Sequence, residues 1–593
     1  MSILKTLTEG IEPRDLHKES NALLSKWERT GLLEGLNSDD HRHQMARLLE
    51  NQAKELLRES SAMAGGDVEG FAAVAFPLVR RVFGSLVAQD IVSVQPMSLP
   101  SGLIFFMDFT FSAEGGMTDS QRLGNEAGDS IYGGGRVASQ ITGGMILTGL
   151  DAERGPYGLN NGFSSPTASL NIDASMVIEA SGTVGANGVL LTTSAAGGGI
   201  AGTFTQEAAD ELLRYDPDLV SGSVIAIASF LKSELTDAAG NFNFDDMVGL
   251  AFSESLGTNS YQVRRLTAID PTDSTRVCVV ANTTTASTTI LDVFDLGGNL
   301  AGFTHIGAPL ADTFDGGSSI GSVIGEATWG LENNTEIPEI DIKVDSVSVT
   351  AVTKKLKAKW TPELGQDLNA YHNMDAEVEL TSILSEQVAL EIDREILEDL
   401  VKGATASTYY WSRRPGRFVD RSTGADIGGG SENEALLGAD FTGNVSEWYE
   451  TLIETINDVS AQIHRKTLRG GANFVVVSPE MANLLEFTAG FRAAVTHDDD
   501  RGTIGAVRVG SLSKKFDVYV DPYFLRNVVL VGRKGASFLE SGYVYAPYVP
   551  LQVTPTIFGV EDFVPRKGVM TRYAKKMVRP DMYGLVIVKD LLG

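Results

Sequence analysis

The chain has 593 residues, 43% hydrophobic and 21% charged, the proportions of a soluble globular protein with room for several domains. Its formal net charge of −29 argues against a general nucleic-acid binder, which carries a basic face, although a wall that encloses nucleic acid need not bind it. A single cysteine excludes an intrachain disulfide framework and a thiolate zinc site, and no run of about 18 apolar residues is present to span a membrane.

Residues 1–59 read as charged helices. Leu16, Leu23, Leu24 and Trp27 recur at helical spacing, as do Met45, Leu48, Leu49 and Leu56. Their apolar content is too narrow for a domain of their own. The opening turns charged within a few residues, unlike a secretory signal. From Ser60 to Gly70 the pattern breaks into a linker, which opens the segment 60–110. That segment continues with an apolar run, Phe71 to Val79, and a strand-like piece, Leu103 to Phe109. Residues 111–150, with Gly133-Gly134-Gly135, read as a long loop or hairpin.

Residues 151–335 change composition, with Gly, Ser, Thr and Ala dominant. One helix is expected at Thr205 to Tyr215, and short β-branched runs at Val277 to Val280 and Thr288 to Val293, a spacing that suggests an inserted β-rich module. Cys278 lies in one of these runs and reads as a buried, inert thiol. In 336–443, period-two runs end in Leu356, Ala358 and Trp360, with Lys355, Lys357 and Lys359 on the opposite, wet face. Thr361-Pro362 starts a helix. The longest helix is expected from about Asp375 to Lys402, roughly 40 Å long, with Leu380, Ile383, Leu384, Val388, Ile392, Ile396, Leu397 and Leu400 as its apolar stripe and Gly403 as terminator. Its many carboxylates read as a solvated or ion-paired face.

Residues 444–545 alternate helix and strand. Asn444 and Glu447 fit a capping box, Leu452, Ile456, Val459 and Ile463 form a buried face, and Gly470-Gly471 end the helix. A strand at Phe474 to Val477, a helix capped by Ser478-Pro479, and strands at Phe516 to Val520 and Val528 to Val531 complete an α+β domain. Residues 546–593 return as strands. From Arg501 onward basic residues outnumber acidic ones roughly two to one, so different parts of one subunit can meet as opposite charges on neighbouring copies.

No catalytic constellation assembles from these residues. Gly317-Ser318-Ser319-Ile320-Gly321 matches a nucleophile elbow but lacks the strand before it and the helix after it. His41 and His43 fall on different faces of a helix. His497-Asp498-Asp499-Asp500 reads either as a hard-cation loop or as a solvated one. Trp411 to Arg417 mixes aromatic and basic residues, as nucleic-acid contacts, subunit contacts and exposed loops all do.

The segment Leu356 to His372, with Lys359-Trp360-Thr361-Pro362-Glu363-Leu364-Gly365-Gln366-Asp367-Leu368 at its centre, resembles the major capsid protein family of T-even-like tailed bacteriophages. So do Asp90 to Met97, Val518 to Tyr523, Ala546 to Leu551, Phe563 to Gly568 and Thr571 to Tyr573, in the family's order. The resemblance implies an α+β Hong Kong 97-type capsid fold with N-terminal arm, extended loop, long spine helix, axial domain and an inserted β-rich domain. It implies a charged N-terminal segment over 1–59, an N-arm over 60–110, the extended loop over 111–150 and the insertion domain over 151–335. The peripheral domain with the spine helix would take 336–443, the axial domain 444–545, and the peripheral return strands 546–593.

The function it implies is a self-assembling shell subunit, not an enzyme, in hexamers and also pentamers, located in the virion capsid and assembled in the host cytoplasm. No cofactor or metal is implied. Implied partners are further copies of the chain, a scaffold, a prohead protease, portal, vertex and decoration proteins, and packaged DNA held without sequence-specific binding. The family's protease cuts after Glu in a Leu/Ile-x-Glu pattern, which Leu57-Arg58-Glu59 fits, giving a candidate cut between Glu59 and Ser60. Leu7-Thr8-Glu9, Leu32-Leu33-Glu34 and Leu48-Leu49-Glu50 fit it too. The paralogous vertex protein, which forms pentamers, is the alternative within the family; a secreted hydrolase built on Ser319 is the alternative outside it.

Overall fold

The computed structural model describes residues 16–33, 39–60, 88–111, 130, 168–172, 177–184, 206–219, 223–234, 236–237, 240–241, 244, 247, 250–252, 260–271, 273–283, 303–308, 340–372, 374–426, 441–493, 507–535, 540 and 542–591. The chain divides into two units. The first comprises Met1–Asp108, Tyr132–Met145 and Ile342–Gly593; the second comprises Phe109–Ile131 and Ile146–Asp341.

Two sheets organise the first unit. One runs in the order Ser93–Val94, Tyr543–Val553, Pro565–Met577, Val352–Lys359, with Ile557–Phe558 paired onto Pro565–Met577. Among the described residues its last strand leaves an open edge, and that strand carries four lysines, three of them exposed, so we call it the lysine-edged sheet. The long helix spans Ala376–Gly403, and the Asp375 side chain caps it by accepting the Glu377 N–H. Val388, Ile392, Ile396, Leu397 and Leu400 are buried against Leu551, Val569, Tyr545 and Tyr573 of this sheet. Ile383, expected in the same stripe, is 51% exposed, because the contact with the sheet is made mainly by the C-terminal part of the helix. Gly403 is not a left-handed stop: the next residue, Ala404, is extended, and a Cβ at Gly403 would stand 2.5 Å from Met577 Cε.

The helices Leu16–Glu28 and Asp39–Ser60 join the same core through Trp27, Met45, Leu48 and Leu49. Asn51 Nδ2 donates to the Met97 carbonyl at 3.0 Å. The opposite face of the sheet packs Val544, Ala546 and Ala574 against Met97, Ile104 and Val349; the last two lie on the paired strands Ser101–Phe111 and Ile340–Thr350.

The second sheet has seven strands, in the order Thr408–Ser412, Tyr583–Lys589, Val528–Gly532, Phe474–Val477, Phe516–Val520, Val507–Leu512, Phe491–Ala493. Phe474 to Val477 is apolar without interruption because both faces are covered. Phe474 and Val476 face the core of the long helix, while Val475 and Val477 face the helix Val445–Thr467. That helix starts in the capping box of Asn444 and Glu447 and buries Leu452, Ile456, Val459 and Ile463 completely. It ends at Thr467, ahead of the expected glycines. Leu468 takes the left-handed conformation (φ 53°) and donates its N–H to the His464 carbonyl, and Gly470 (φ +118°) continues the turn. Residues 546–593 part company: Pro565–Met577 pairs within the lysine-edged sheet, whereas Tyr583–Lys589 lies between Thr408–Ser412 and Val528–Gly532. Which sheet a strand joins is a long-range choice that local periodicity does not encode.

The second unit has its own core. The strands Ala268–Ile269, Arg276–Thr283, Val224–Leu231 and Val177–Thr183 form one sheet, with Ser260–Gln262 also on Arg276–Thr283. The helix Gln206–Leu213 lays Ala209, Leu212 and Leu213 over Ile225, Ile227, Cys278 and Val280. Ala168–Ile172, Phe303–Ala308 and Ala251–Phe252 make a three-stranded sheet. Burial pushes the Cys278 thiol well above its ordinary value, aided by Asp270 and Glu179, which fits an inert thiol.

Because Ile456 is fully buried between helix and sheet, Ile456→Ala should destabilise the seven-stranded sheet by about 2–5 kcal/mol and Ile456→Val by about 0.5–1.5 kcal/mol. Amide hydrogen exchange in Phe474–Val477 and Tyr583–Lys589 reads the effect, and equal protection in all three proteins would contradict it.

Candidate functional site

The carboxylates of the long helix meet lysines of the lysine-edged sheet. Lys354 lies 3.2 Å from Glu391 and 3.3 Å from Glu395. Lys575 lies 2.6 Å from Glu395 and 2.7 Å from Asp399. Lys567 lies 2.6 Å from Glu377, which also accepts from Thr556 at 2.7 Å. Glu391, Glu395 and Asp399 share one helix face by their four-residue spacing. The hydroxyl of Tyr543 donates to Asp399 at 2.8 Å, and that of Tyr573 donates to Glu395.

Burial alone would raise the Glu395 carboxyl, but the bonds from Lys575 and Tyr573, with the nearby charges of Lys575 and Lys354, outweigh it and hold the group at about 2. Glu377 is held low mainly by Lys567. Burial, together with the carboxylates they bind, pushes the hydroxyls of Tyr543 and Tyr573 up, so both remain donors. The arrangement is an ion-paired clamp between helix and sheet.

Glu59 and Ser60 are the last two residues of the helix Asp39–Ser60. Of the competing patterns, Leu48 and Leu49 are fully buried, and Glu50 accepts from Lys26 at 2.6 Å and from Trp27 Nε1 at 3.2 Å. Leu7 to Glu9 and Glu34 lie outside the described residues, as do Gly317 to Gly321 and His497 to Asp500. His41 and His43 lie on the helix Asp39–Ser60. Among the described residues no group of three or more His, Cys, Asp or Glu can hold a metal, and no helix is long and apolar enough to cross a membrane.

The Trp411 to Arg417 segment is tied to its own unit. Trp411 is buried beside Trp448 and Tyr449, and its Nε1 donates to Thr451 at 2.7 Å. Arg417 bonds Asp590 at 3.0 Å and also pairs with Asp426. The Trp411 ring is thus closed to stacking and Arg417 is neutralised, while Arg414 remains exposed.

The exposed surface is unusual in two places that periodicity did not flag. The helix Pro362–His372 has no buried residue. The turn from Ile557 to Phe563 exposes Ile557, Phe558, Val560 and Phe563, with Val560 92% exposed. A signal was available in the turn, since four large apolar residues crowd seven positions around Gly559.

A family model described as "Major capsid protein Gp23" matches residues 68–236 and 258–590. The major capsid protein of Vibrio phage KVP40 is 32% identical over 253 residues, covering 41% of this chain and 46% of that protein. That of Enterobacteria phage T4 is 31% identical over 258 residues, covering 42% and 47%. The chain thus spans about half the length of the curated relatives it matches. Among solved structures, the asymmetric unit of the bacteriophage PhiM1 mature capsid aligns at 13% identity over 44% of this chain and 78% of that chain, with a TM-score of 0.28.

The clamp has a pH signature. A carboxyl lowered in the folded state adds stability that is complete above its unfolded value, 4.5, and is lost as pH falls toward about 2. Urea unfolding of the parent chain should therefore weaken over that window more steeply than that of Glu395→Gln. Identical pH slopes would show that Glu395 carries no such linkage.

Proposed function

The chain belongs to the major capsid protein Gp23 family, and from that premise we propose that it self-assembles into hexamers that build the head shell of a tailed bacteriophage around its packaged genome. The observation that carries this reading is the extent of the family match, which takes in segments of both units. The matched relatives named above are major capsid proteins, which favours the hexamer-forming protein over a pentameric vertex paralogue. The exposed apolar turn and helix add physical support, since large solvent-facing apolar patches mark association sites.

Within a Hong Kong 97-type fold the long helix serves as the spine. The independent core of the second unit supports reading 151–335 as the insertion domain, with 111–150 as the extended loop and 60–110 as the N-arm. The axial domain is 444–545 together with Thr408–Ser412 and Tyr583–Lys589, which share its sheet. The rest of 336–443 and 546–593 is peripheral. Partners follow from that place in a shell: scaffold, prohead protease, portal, vertex and decoration proteins, with DNA enclosed but not read. No reaction is assigned to the chain.

The maturation cut falls between Glu59 and Ser60. Proteases bind extended chain, and the end of a helix unwinds more readily than its middle. Glu50 is the poorer candidate because its flanking leucines are in the core. Releasing the N-terminal helices exposes apolar surface worth roughly 1.5–3 kcal/mol per buried Met or Leu side chain. The cut subunit then depends on its neighbours, and shell persistence becomes kinetic.

Purified protein, with scaffold where needed, should form rings or shells by light scattering and electron microscopy; a monomer under all conditions overturns the assembly reading. Mass spectrometry of subunits from mature virions should find an N-terminus at Ser60, and a start at Met1 or Ser2 overturns the cut.

A further inference from the structure

We propose that the acidic helix Pro362–His372 of one copy docks on the exposed lysine row of the edge strand Val352–Lys359 of a second copy. This inference rests on the self-assembly reading and names a contact that builds the shell.

The helix is amphipathic and largely uncovered: none of its residues is buried, and Leu368 and Gly365 alone are half-buried. Leu364, Leu368 and Tyr371 follow the four-then-three spacing of one stripe. Leu364 is 49% exposed and Tyr371 81% exposed. Glu363 and Asp367 flank the stripe four residues apart, and neither enters an ion pair among the described residues. An isolated helix of 11 residues is marginal in water, so a surface that received its apolar stripe would stabilise it.

The lysine row is its counterpart. Val352–Lys359 is the edge strand, and its exposure alternates: Leu356 and Ala358 are half-buried, while Lys355, Lys357 and Lys359 are exposed. None of the three lysines enters an ion pair among the described residues. Across the sheet Lys359 sits opposite Arg566, which sits opposite Ile557, 60% exposed. Lys357 sits opposite Gly568, which has no side chain to fill the row. The strand edge is therefore cationic with an apolar margin and a shallow notch.

The spacings agree. Successive lysines lie about 6.6 Å apart along a strand, and Glu363 and Asp367 about 6 Å apart along a helix. A helix laid along the edge strand sets both carboxylates against neighbouring lysines and turns Leu364 and Leu368 toward Ile557. Edge lysines alone would be explained as a guard against strand pairing, but a guard needs no matched carboxylate pair on the same molecule. In the structure the helix does not lie on its own lysine row, so the occupant is a second copy. Ion pairs of this exposed kind are individually weak and screened by salt, which suits a contact that must reverse during assembly.

The test uses three full-length variants: Lys355→Glu with Lys357→Glu and Lys359→Glu; Glu363→Lys with Asp367→Lys; and all five together. The critical concentration for particle formation is measured by light scattering and microscopy, with circular dichroism as the fold check. Each single-surface variant should raise the critical concentration several-fold, and the combined variant should return it toward the parent value. Lys357→Cys copies mixed with Asp367→Cys copies should form crosslinked dimers that neither gives alone, with Cys278 silent because it is buried. The proposal falls if the lysine variant assembles like the parent, if the combined variant is no better than either single-surface one, or if assembled mixtures give no crosslink. It also falls if the lysine variant assembles normally but loses nuclease-protected DNA, which would make nucleic acid the occupant. Failure of the parent chain itself to assemble would instead remove the shell reading.

Discussion

The first unit depends on one long helix being held in a single register against a sheet. Apolar burial of Val388, Ile392, Ile396 and Leu400 supplies most of the attraction, but it is non-directional. The direction comes from the charged seam. Glu377 meets Lys567 near the start of the helix, and Asp399 meets Lys575 near its end. Those carboxylates are about 33 Å apart along a helix, and those lysines about 26 Å apart along a strand. The two lengths are similar, and the order of the two pairings requires the helix to run alongside Pro565–Met577 in the same sense. A slip of one turn would strand several partly buried charges, a larger loss than any single surface pair is worth.

Local signals were legible in the sequence and distant pairings were not. The capping box at Asn444, the Ser478 cap, the run Phe474 to Val477 and the long helix itself are written in neighbouring residues, and the structure contains each of them. The sheet partners of the helix carboxylates lie up to 190 residues away, so sequence reading reached an ion-paired face but could not name the lysines. Gly403 is a fair example of a correct boundary without the expected cause, since the backbone there is not left-handed and the close neighbour is the flexible end of Met577. Leu468 shows the converse, a left-handed cap taken by a residue that composition would not nominate. The candidate cut site was ambiguous because the four matching tripeptides within residues 1–59 are equal as strings. Burial of Leu48 and Leu49 counts against a cut after Glu50, and burial is a tertiary property.

The exposed features share a logic with the buried ones. Among the described residues, large apolar side chains left in solvent gather on the turn near Gly559, on Pro362–His372 and along Ile340, Ile342 and Val344. In the proposed shell, several modest patches would distribute association over several neighbours. That arrangement would let an incorrectly seated subunit leave before the next one locks it in, because no single contact would hold it.

The position of Tyr583–Lys589 inside the seven-stranded sheet has a consequence for biosynthesis. Six strands of that sheet are translated before it, yet it is the link between Thr408–Ser412 and Val528–Gly532. While it is still on the ribosome, Thr408–Ser412 has no neighbour to pair with, and the apolar faces of Val528–Gly532 and of the helix Val445–Thr467 remain partly bare. Closure of the sheet therefore waits on the emergence of this strand, as expected for a topology rich in non-local pairing. In the proposed shell, the order of translation would itself delay contacts between copies until this sheet has closed.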